Sequence, residues 1–263
     1  MNTTRFNPTS NGDASKGILH LGHLYMCMVN EYMAHSTGGK FIVRFDDTQQ
    51  YWINELGREQ IARNCQKIID ELTWFGIKVD EYVWQSKRES QFIHLLSHGA
   101  RLDDSLLNED ATKYVQPILV RDDASQYPDA FYVIAETVWN DWKDHIDTLI
   151  IGDELLSRWS CYRLIAYLLN HNIPQIDTVI HLPRLRDGYE LASVSKTEGN
   201  YRVQDYIDRG YTPKEIETIL RYACLTDVHG DWDWRNVKQA PMLTPESPIF
   251  HYTRTQTVEF ARG

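Results

Sequence analysis

Cysteine is scarce in this sequence. Cys27, Cys65, Cys161 and Cys224 are the only four in 263 residues, and no two form a CxxC pair. That spacing excludes a disulfide framework and fits reduced thiols, so the expected compartment is cytoplasmic. No apolar run approaches the roughly 18 residues that a membrane span needs, so no membrane partner is expected. Met1 to Gly12 is polar and lacks the apolar centre of a secretion signal. A basic excess is missing as well: 27 Lys and Arg stand against 37 Asp and Glu, a net charge of −10. A surface that holds nucleic acid by general attraction is usually basic, so no DNA partner is expected, although a local basic groove is compatible with this balance. No internal repeat and no low-complexity tract is present, and the composition excludes disordered, collagen-like and coiled-coil chains.

What is present is the composition of an ordinary globular protein, 42% hydrophobic and 24% charged. The length predicts one to two domains and a sizeable core. Eight Trp and 15 Tyr make the chain rich in aromatics, which mostly serve packing, with a minority lining a pocket. Thr3 to Asn7 reads as a strand, Leu21 to Ser36 as a helix stopped at Gly38-Gly39, and Phe41 to Phe45 as a second strand. Ile61, Cys65, Ile68, Ile69, Leu72 and Phe75 recur at helical spacing, which predicts one long helix over Glu55 to Phe75, ended by Gly76. Strand–helix–strand–helix is the pattern of a parallel α/β sheet.

The pattern dissolves between Gly99 and Pro128, which reads as an inserted connecting subdomain. Phe131 to Ala135, Thr148 to Ile151 and Thr178 to His181 read as strands, and Leu155 to Asn170 as a helix. After Pro183 the chain is loop-like through Asn200. Thr212 then caps a helix that starts at Pro213 and runs to Cys224. From Thr226 to Gly263 no period is evident. The expected organisation is a first catalytic half over 1–98, an insertion over 99–130, a second half over 131–190, and a loop plus small helical part over 191–263.

Two segments carry chemistry. Leu19-His20-Leu21-Gly22-His23 follows a strand and a glycine-bearing loop and opens a helix. Its two histidines, three apart, sit where free backbone N–H groups and the helix dipole favour an anion, and Gly22 admits a flat group close to the backbone. Ser193-Val194-Ser195-Lys196-Thr197-Glu198-Gly199-Asn200 is a polar loop with one lysine, which can neutralise charge on a transferring phosphoryl group. Either segment alone is most simply read as ordinary surface or core residues.

Together and in this order, they resemble the HIGH and KMSKS motifs of the class I aminoacyl-tRNA synthetases. The glutamyl/glutaminyl branch is the most similar. Thr4-Arg5-Phe6-Asn7-Pro8-Thr9-Ser10 resembles its opening, and Gly38 to Thr48 (GGKFIVRFDDT) resembles its second strand. Leu72-Thr73-Trp74-Phe75-Gly76-Ile77, Asp80-Glu81 and Gln85-Ser86-Lys87-Arg88 resemble the stretch that follows. Asp187-Gly188 to Lys196 and Tyr206 to Pro213 are similar to the segment around the late motif. The likeness runs from about residue 3 to residue 225.

This resemblance implies an α/β fold with a Rossmann-like parallel sheet, an inserted connecting subdomain and a small helical C-terminal part. It implies ATP-dependent activation of an amino acid as an aminoacyl-adenylate, with Mg2+ travelling on the ATP, followed by transfer to a tRNA acceptor end. His20, His23 and Lys196 would be catalytic, and Gly22 and Ser195 would join them at ATP. Arg5, Asn7, Thr9, Asp46, Tyr132, Glu136 and Ile151 would line the amino-acid pocket, for glutamate or a relative.

The departures from the family pattern point to specialisation. The opening loop is longer, with Asp13 to Lys16 at its tip. Ser193 replaces the first lysine of the late motif. No cysteine lies between Cys65 and Cys161, so no structural zinc and no other protein-held metal is expected. Asn7 and Thr9 replace smaller residues, Glu136 replaces a polar neutral residue, and Ile151 replaces an arginine that grips the side-chain carboxylate. The resemblance ends near residue 225, so no anticodon-binding region like that of the full synthetases is expected, as in the glutamyl-queuosine tRNA-Asp synthetases and other standalone paralogues. Transfer to a modified tRNA base, a carrier protein or a small amine is therefore an alternative second step. An inactive paralogue that binds nucleotide or tRNA as a regulator is another.

Overall fold

The computed structural model describes residues 1–98, 130–152, 178–182, 186–187, 201–224 and 242–243. β1 (Thr4–Phe6) leads through α1 (Leu21–His35) to β2 (Phe41–Phe45), then through α2 (Gln50–Leu56) and α3 (Arg58–Phe75) to β3 (Glu81–Trp84) and α4 (Glu89–His98). α5 (Ala130–Lys143) precedes β4 (Thr148–Gly152), and β5 (Thr178–Leu182) and β6 (Arg186–Asp187) follow. α6 (Val203–Asp208), α7 (Pro213–Cys224) and β7 (Met242–Leu243) complete the described elements.

β1 pairs with β2, β2 with β3, and β4 with β5, all parallel. The Asp147 and Thr148 N–H groups donate to the Thr3 carbonyl at 3.3 and 3.2 Å, which lays the start of β4 beside the start of β1. The three-stranded sheet β1-β2-β3 and the two-stranded sheet β4-β5 thus lie side by side, with β1 next to β4. This arrangement is like that of a doubly wound fold, whose ligand crevice lies beyond the strand ends where the winding reverses, here between β1 and β4.

Alternation along the strands assigns the two faces. Phe6, Phe41, Val43, Phe45 and Ile150 join a core built with α1, α3 and α7. Arg5 and Arg44 point the other way and meet α5. Every residue of β2 is buried, as a strand covered on both faces requires. α7 brings Ile216, Ile219, Leu220 and Ala223 to the core. It starts with the predicted cap: the Thr212 hydroxyl accepts from the Glu215 N–H at 3.3 Å, and the Glu215 carboxylate accepts from the Thr212 N–H at 2.7 Å.

The structure departs from the sequence reading in two places. The single helix expected over Glu55 to Phe75 is broken. Gly57, at φ 77° and ψ 153°, ends α2 and begins α3, a conformation that L side chains rarely adopt. Phe131 to Ala135 is helical, within α5, and not a strand. Its aromatic and β-branched run suggests extended chain. The burial of Ala135, Val138 and Trp139 at positions i, i+3 and i+4 sets a helical period instead. The expected insertion over Gly99 to Pro128, the helix over Leu155 to Asn170 and the Ser193 to Asn200 loop lie outside the described residues.

Candidate active site

α1 begins at the crevice, directly after the loop that leaves β1. His20 is its N-cap, with extended backbone (φ −119°, ψ 171°). The His20 Nδ1 accepts from the Gly22 N–H at 3.1 Å, and the His23 Nδ1 accepts from the His20 N–H at 3.3 Å. The two histidines thus form a reciprocal capping box, a role usually taken by Ser or Thr with Glu or Gln. Accepting at Nδ1 puts the proton of each neutral ring on Nε2. The rings stack with centroids 3.7 Å apart, and Phe6 at the end of β1 lies 5.7 Å from the His23 ring. A Cβ at position 22 would sit 2.9 Å from the His20 Cε1. The flat group that Gly22 admits in this structure is therefore the His20 imidazole.

The segment that follows the Lys196 loop docks on the same place. Leu21 donates its N–H to the Tyr201 carbonyl at 3.0 Å, Val203 donates to the Leu19 carbonyl at 3.0 Å, and His20 bridges Arg202. Tyr201 takes a left-handed backbone (φ 66°) to make this turn. Lys196 and Ser195 lie outside the described residues, but Lys196 is only five positions from Tyr201, at most about 18 Å of extended chain.

The residues expected at the amino-acid pocket fall around the ends of β1, β2 and β4. Arg5 gives two hydrogen bonds to the Asp141 carboxylate, at 2.9 and 3.0 Å. Arg44, fully buried, also binds Asp141 and reaches Asp144 at 3.0 Å, and Arg88 binds Asp144. Burial works against the Asp141 charge, but Arg5 and Arg44 outweigh it and hold this carboxyl below the ordinary aspartate range. The Asn7 Oδ1 is buried and accepts no hydrogen bond among the described residues. Thr9 bridges Asp46, whose carboxylate accepts from the Gln49 side chain. Glu136 is buried on α5 and accepts from the Thr48 hydroxyl at 2.7 Å. Ile151 is buried near the end of β4, in register with His181. Tyr132 lies in α5, its side chain outside the described part.

Two contributors escape the motif reading, Asp141 and Glu71, while Thr48 falls in the Gly38 to Thr48 motif without a role assigned to it there. Glu71 had a visible signal. It falls three residues after Ile68 and one before Leu72, on the buried stripe of α3, where an unpaired carboxylate is costly. Asp141 had none, because its partners Arg5 and Arg44 are distant in sequence.

Residues 2–99 match the family model for the catalytic domain of class I tRNA synthetases (E and Q). Over those residues the chain is similar to that catalytic domain. A glutamate–tRNA ligase 2 from Neorickettsia sennetsu is 26% identical over 262 residues, covering 90% of this chain and 58% of that relative. A glutamate–tRNA ligase from Methanocaldococcus jannaschii is 34% identical over 84 residues, covering 32% of this chain and 13% of its own length. The chain therefore spans little more than half of the Neorickettsia relative's length. Among solved structures, a glutamate–tRNA synthetase from Elizabethkingia anophelis matches with a TM-score of 0.60 at 16% identity, covering 98% of this chain and 71% of that one. A glutamate tRNA ligase from Elizabethkingia meningosepticum, solved with its amino acid, matches at TM-score 0.62 and 16% identity, covering 95% and 68%. These structural matches establish a Rossmann-like class I fold. Among the described residues no helix is long and apolar enough to cross a membrane.

Proposed function

We propose that this chain activates an amino acid with ATP, forming an aminoacyl-adenylate and releasing pyrophosphate, and passes the acyl group to a tRNA acceptor end. The observation that carries this reading is the backbone pairing of Tyr201 to Val203 with Leu19 to Leu21. It brings the exit of the lysine loop to the histidine cap of α1 at the crevice of the sheet. The amino-acid carboxylate attacks the α-phosphate and pyrophosphate departs, so the protein has only to position the reactants and offset charge. The Nε2–H groups of His20 and His23 suit phosphate oxygens, and Lys196 would meet the leaving pyrophosphate. Mg2+ would arrive on the ATP, without a dedicated protein cage. Purified protein should carry less than about 0.1 equivalent of Zn2+ by elemental analysis, and a full equivalent would overturn the cysteine argument.

The amino-acid pocket supports a preference that has moved away from glutamate. Ile151 offers no charge to a side-chain carboxylate, and Arg5 is already engaged by Asp141. A buried carboxylate lacking such a partner costs several kcal/mol. ATP–pyrophosphate exchange across all the amino acids, with and without tRNA, tests the activity and the preference together. Exchange is expected, with glutamate not the best substrate. Glutamate exchanging best would retire the reading of Ile151 and Arg5. No exchange with any amino acid would favour a nucleotide- or tRNA-binding regulator, the alternative that Ser193 keeps open. Exchange without any tRNA charging would favour a modified tRNA base, a carrier protein or a small amine as the acceptor.

A further inference from the structure

Glu71 is 1% exposed on α3, yet it belongs to no motif. Its carboxylate accepts the Leu19 N–H at 2.8 Å and the Ile18 N–H at 3.3 Å, on the two residues immediately before His20. Gly17 makes this approach possible. It has φ +84°, and a Cβ there would lie 2.8 Å from the Glu71 Oε1 and 2.6 Å from the Gln204 Cβ. Lys67, one turn earlier on α3, lies 3.9 Å from Oε1 and also donates to the Gln204 side chain on α6. α6 starts at Val203, directly after the Tyr201–Arg202 segment that pairs with His20. One buried carboxylate thus holds the chain entering His20, and its cationic neighbour holds the helix that leaves the segment docked on His20. Elsewhere on the same helix, Asn64 donates to the Ser10 and Gly12 carbonyls and grips only the far end of the loop.

We infer that Glu71 is a positioning residue: through the Ile18 and Leu19 N–H groups, and through Lys67 to α6, it fixes His20 in the geometry that phosphate chemistry at the crevice requires. The inference rests on the adenylate-forming reading above. Burial pushes the Glu71 carboxyl up to about 7, against the opposing pull of the Leu19 and Ile18 N–H groups and Lys67. The charged groups bearing on it are Lys67 and Asp70 of its own helix, while the loop brings only backbone N–H groups and α6 brings Gln204. Loss of its charge as pH falls through 7 weakens the charge-assisted bonds that hold the loop.

The test uses the full chain with Glu71→Ala, Glu71→Gln and Asn64→Ala. It reads ATP–pyrophosphate exchange (kcat and the KM for ATP) against pH, melting temperature, and amide hydrogen exchange at Ile18, Leu19 and Gly22. Glu71→Ala should lower kcat about 10- to 100-fold, the scale of a misplaced reacting group, with a much smaller change in KM. Glu71→Gln can still accept from Leu19. It should recover most of the rate near pH 8, and should lack the wild-type fall in kcat between about pH 8 and pH 6 that tracks Glu71 protonation. Asn64→Ala should melt earlier without a matching loss of kcat. Wild-type kcat in Glu71→Ala would overturn the inference, as would rates in both alanine variants that fall in step with melting temperature. If the wild type catalyses no exchange at all, the adenylate reading fails on its own. The positioning claim is then decided by Gly22, whose N–H is donated to the His20 ring. Faster exchange there in Glu71→Ala supports the claim, and faster exchange confined to Ile18 and Leu19 contradicts it.

Discussion

Replacing His23 with alanine should lower amino-acid-dependent ATP–pyrophosphate exchange about 10²- to 10³-fold, some 3–4 kcal/mol of transition-state stabilisation. His23 has two jobs. Its Nδ1 accepts the His20 N–H, and its ring stacks on the His20 ring, so it orients the neighbouring imidazole as well as offering its own Nε2–H. Losing the cap alone costs about 1 kcal/mol of stability, a modest fall in melting temperature. The rate loss should be far larger than that. His23→Asn, which can still cap, should restore the melting temperature but not the rate. Lys196→Ala should lose rate on the same scale as His23→Ala, about 10²- to 10³-fold. Full exchange activity in both alanine variants would show that the α1 start and the lysine loop are not the reaction site.

The second large effect is expected in stability. Asp141 is fully buried and is the shared counter-charge of Arg5 and Arg44, which come from two different strands. Asp141→Ala removes the carboxylate that Arg5 and Arg44 share, while Asp144 still pairs with Arg44, and breaking a buried pair in this way costs about 3–5 kcal/mol. Melting temperature at neutral pH should fall by roughly 10 °C. The sign of the pH dependence follows from the lowered carboxyl. A depressed acid contributes stability above its ordinary value of 3.8, and the contribution disappears as pH falls through the folded-state value. The gap between wild type and Asp141→Asn should therefore narrow in strong acid and be widest at neutral pH. Thermal melts across that range check it, and a gap that does not change with pH would mean Asp141 is not held as a carboxylate.

The first three segments of the fold were legible because local pattern and tertiary burial agree there. Phe41 to Phe45 is buried on both faces, and α1 is stopped where its glycines follow. The helix over Ala130 to Lys143 was misread at its start because Phe131 to Ile134 satisfies strand propensity, while the helical period is visible only when Ala135, Val138 and Trp139 are taken together with the buried polar residues. The break at Gly57 was hidden by apolar spacing that continues on either side of it. At the site, the His-x-Gly-His start was legible from spacing, but its self-capping geometry was not, since histidine is an unusual cap. The Arg5–Asp141 pairing joins residues 136 positions apart, beyond the reach of any local rule.

The central claim is that the histidine cap of α1 and the Lys196 loop act on one phosphate group as a single unit. The most direct measurement is ATP–pyrophosphate exchange in wild type, His23→Ala, Lys196→Ala and the double variant, with the best amino acid and tRNA present. Residues that act as one unit are strongly non-additive, so the double variant should be about as slow as the slower single variant. Losses that multiply would place the histidine and the lysine in independent roles and contradict the shared site.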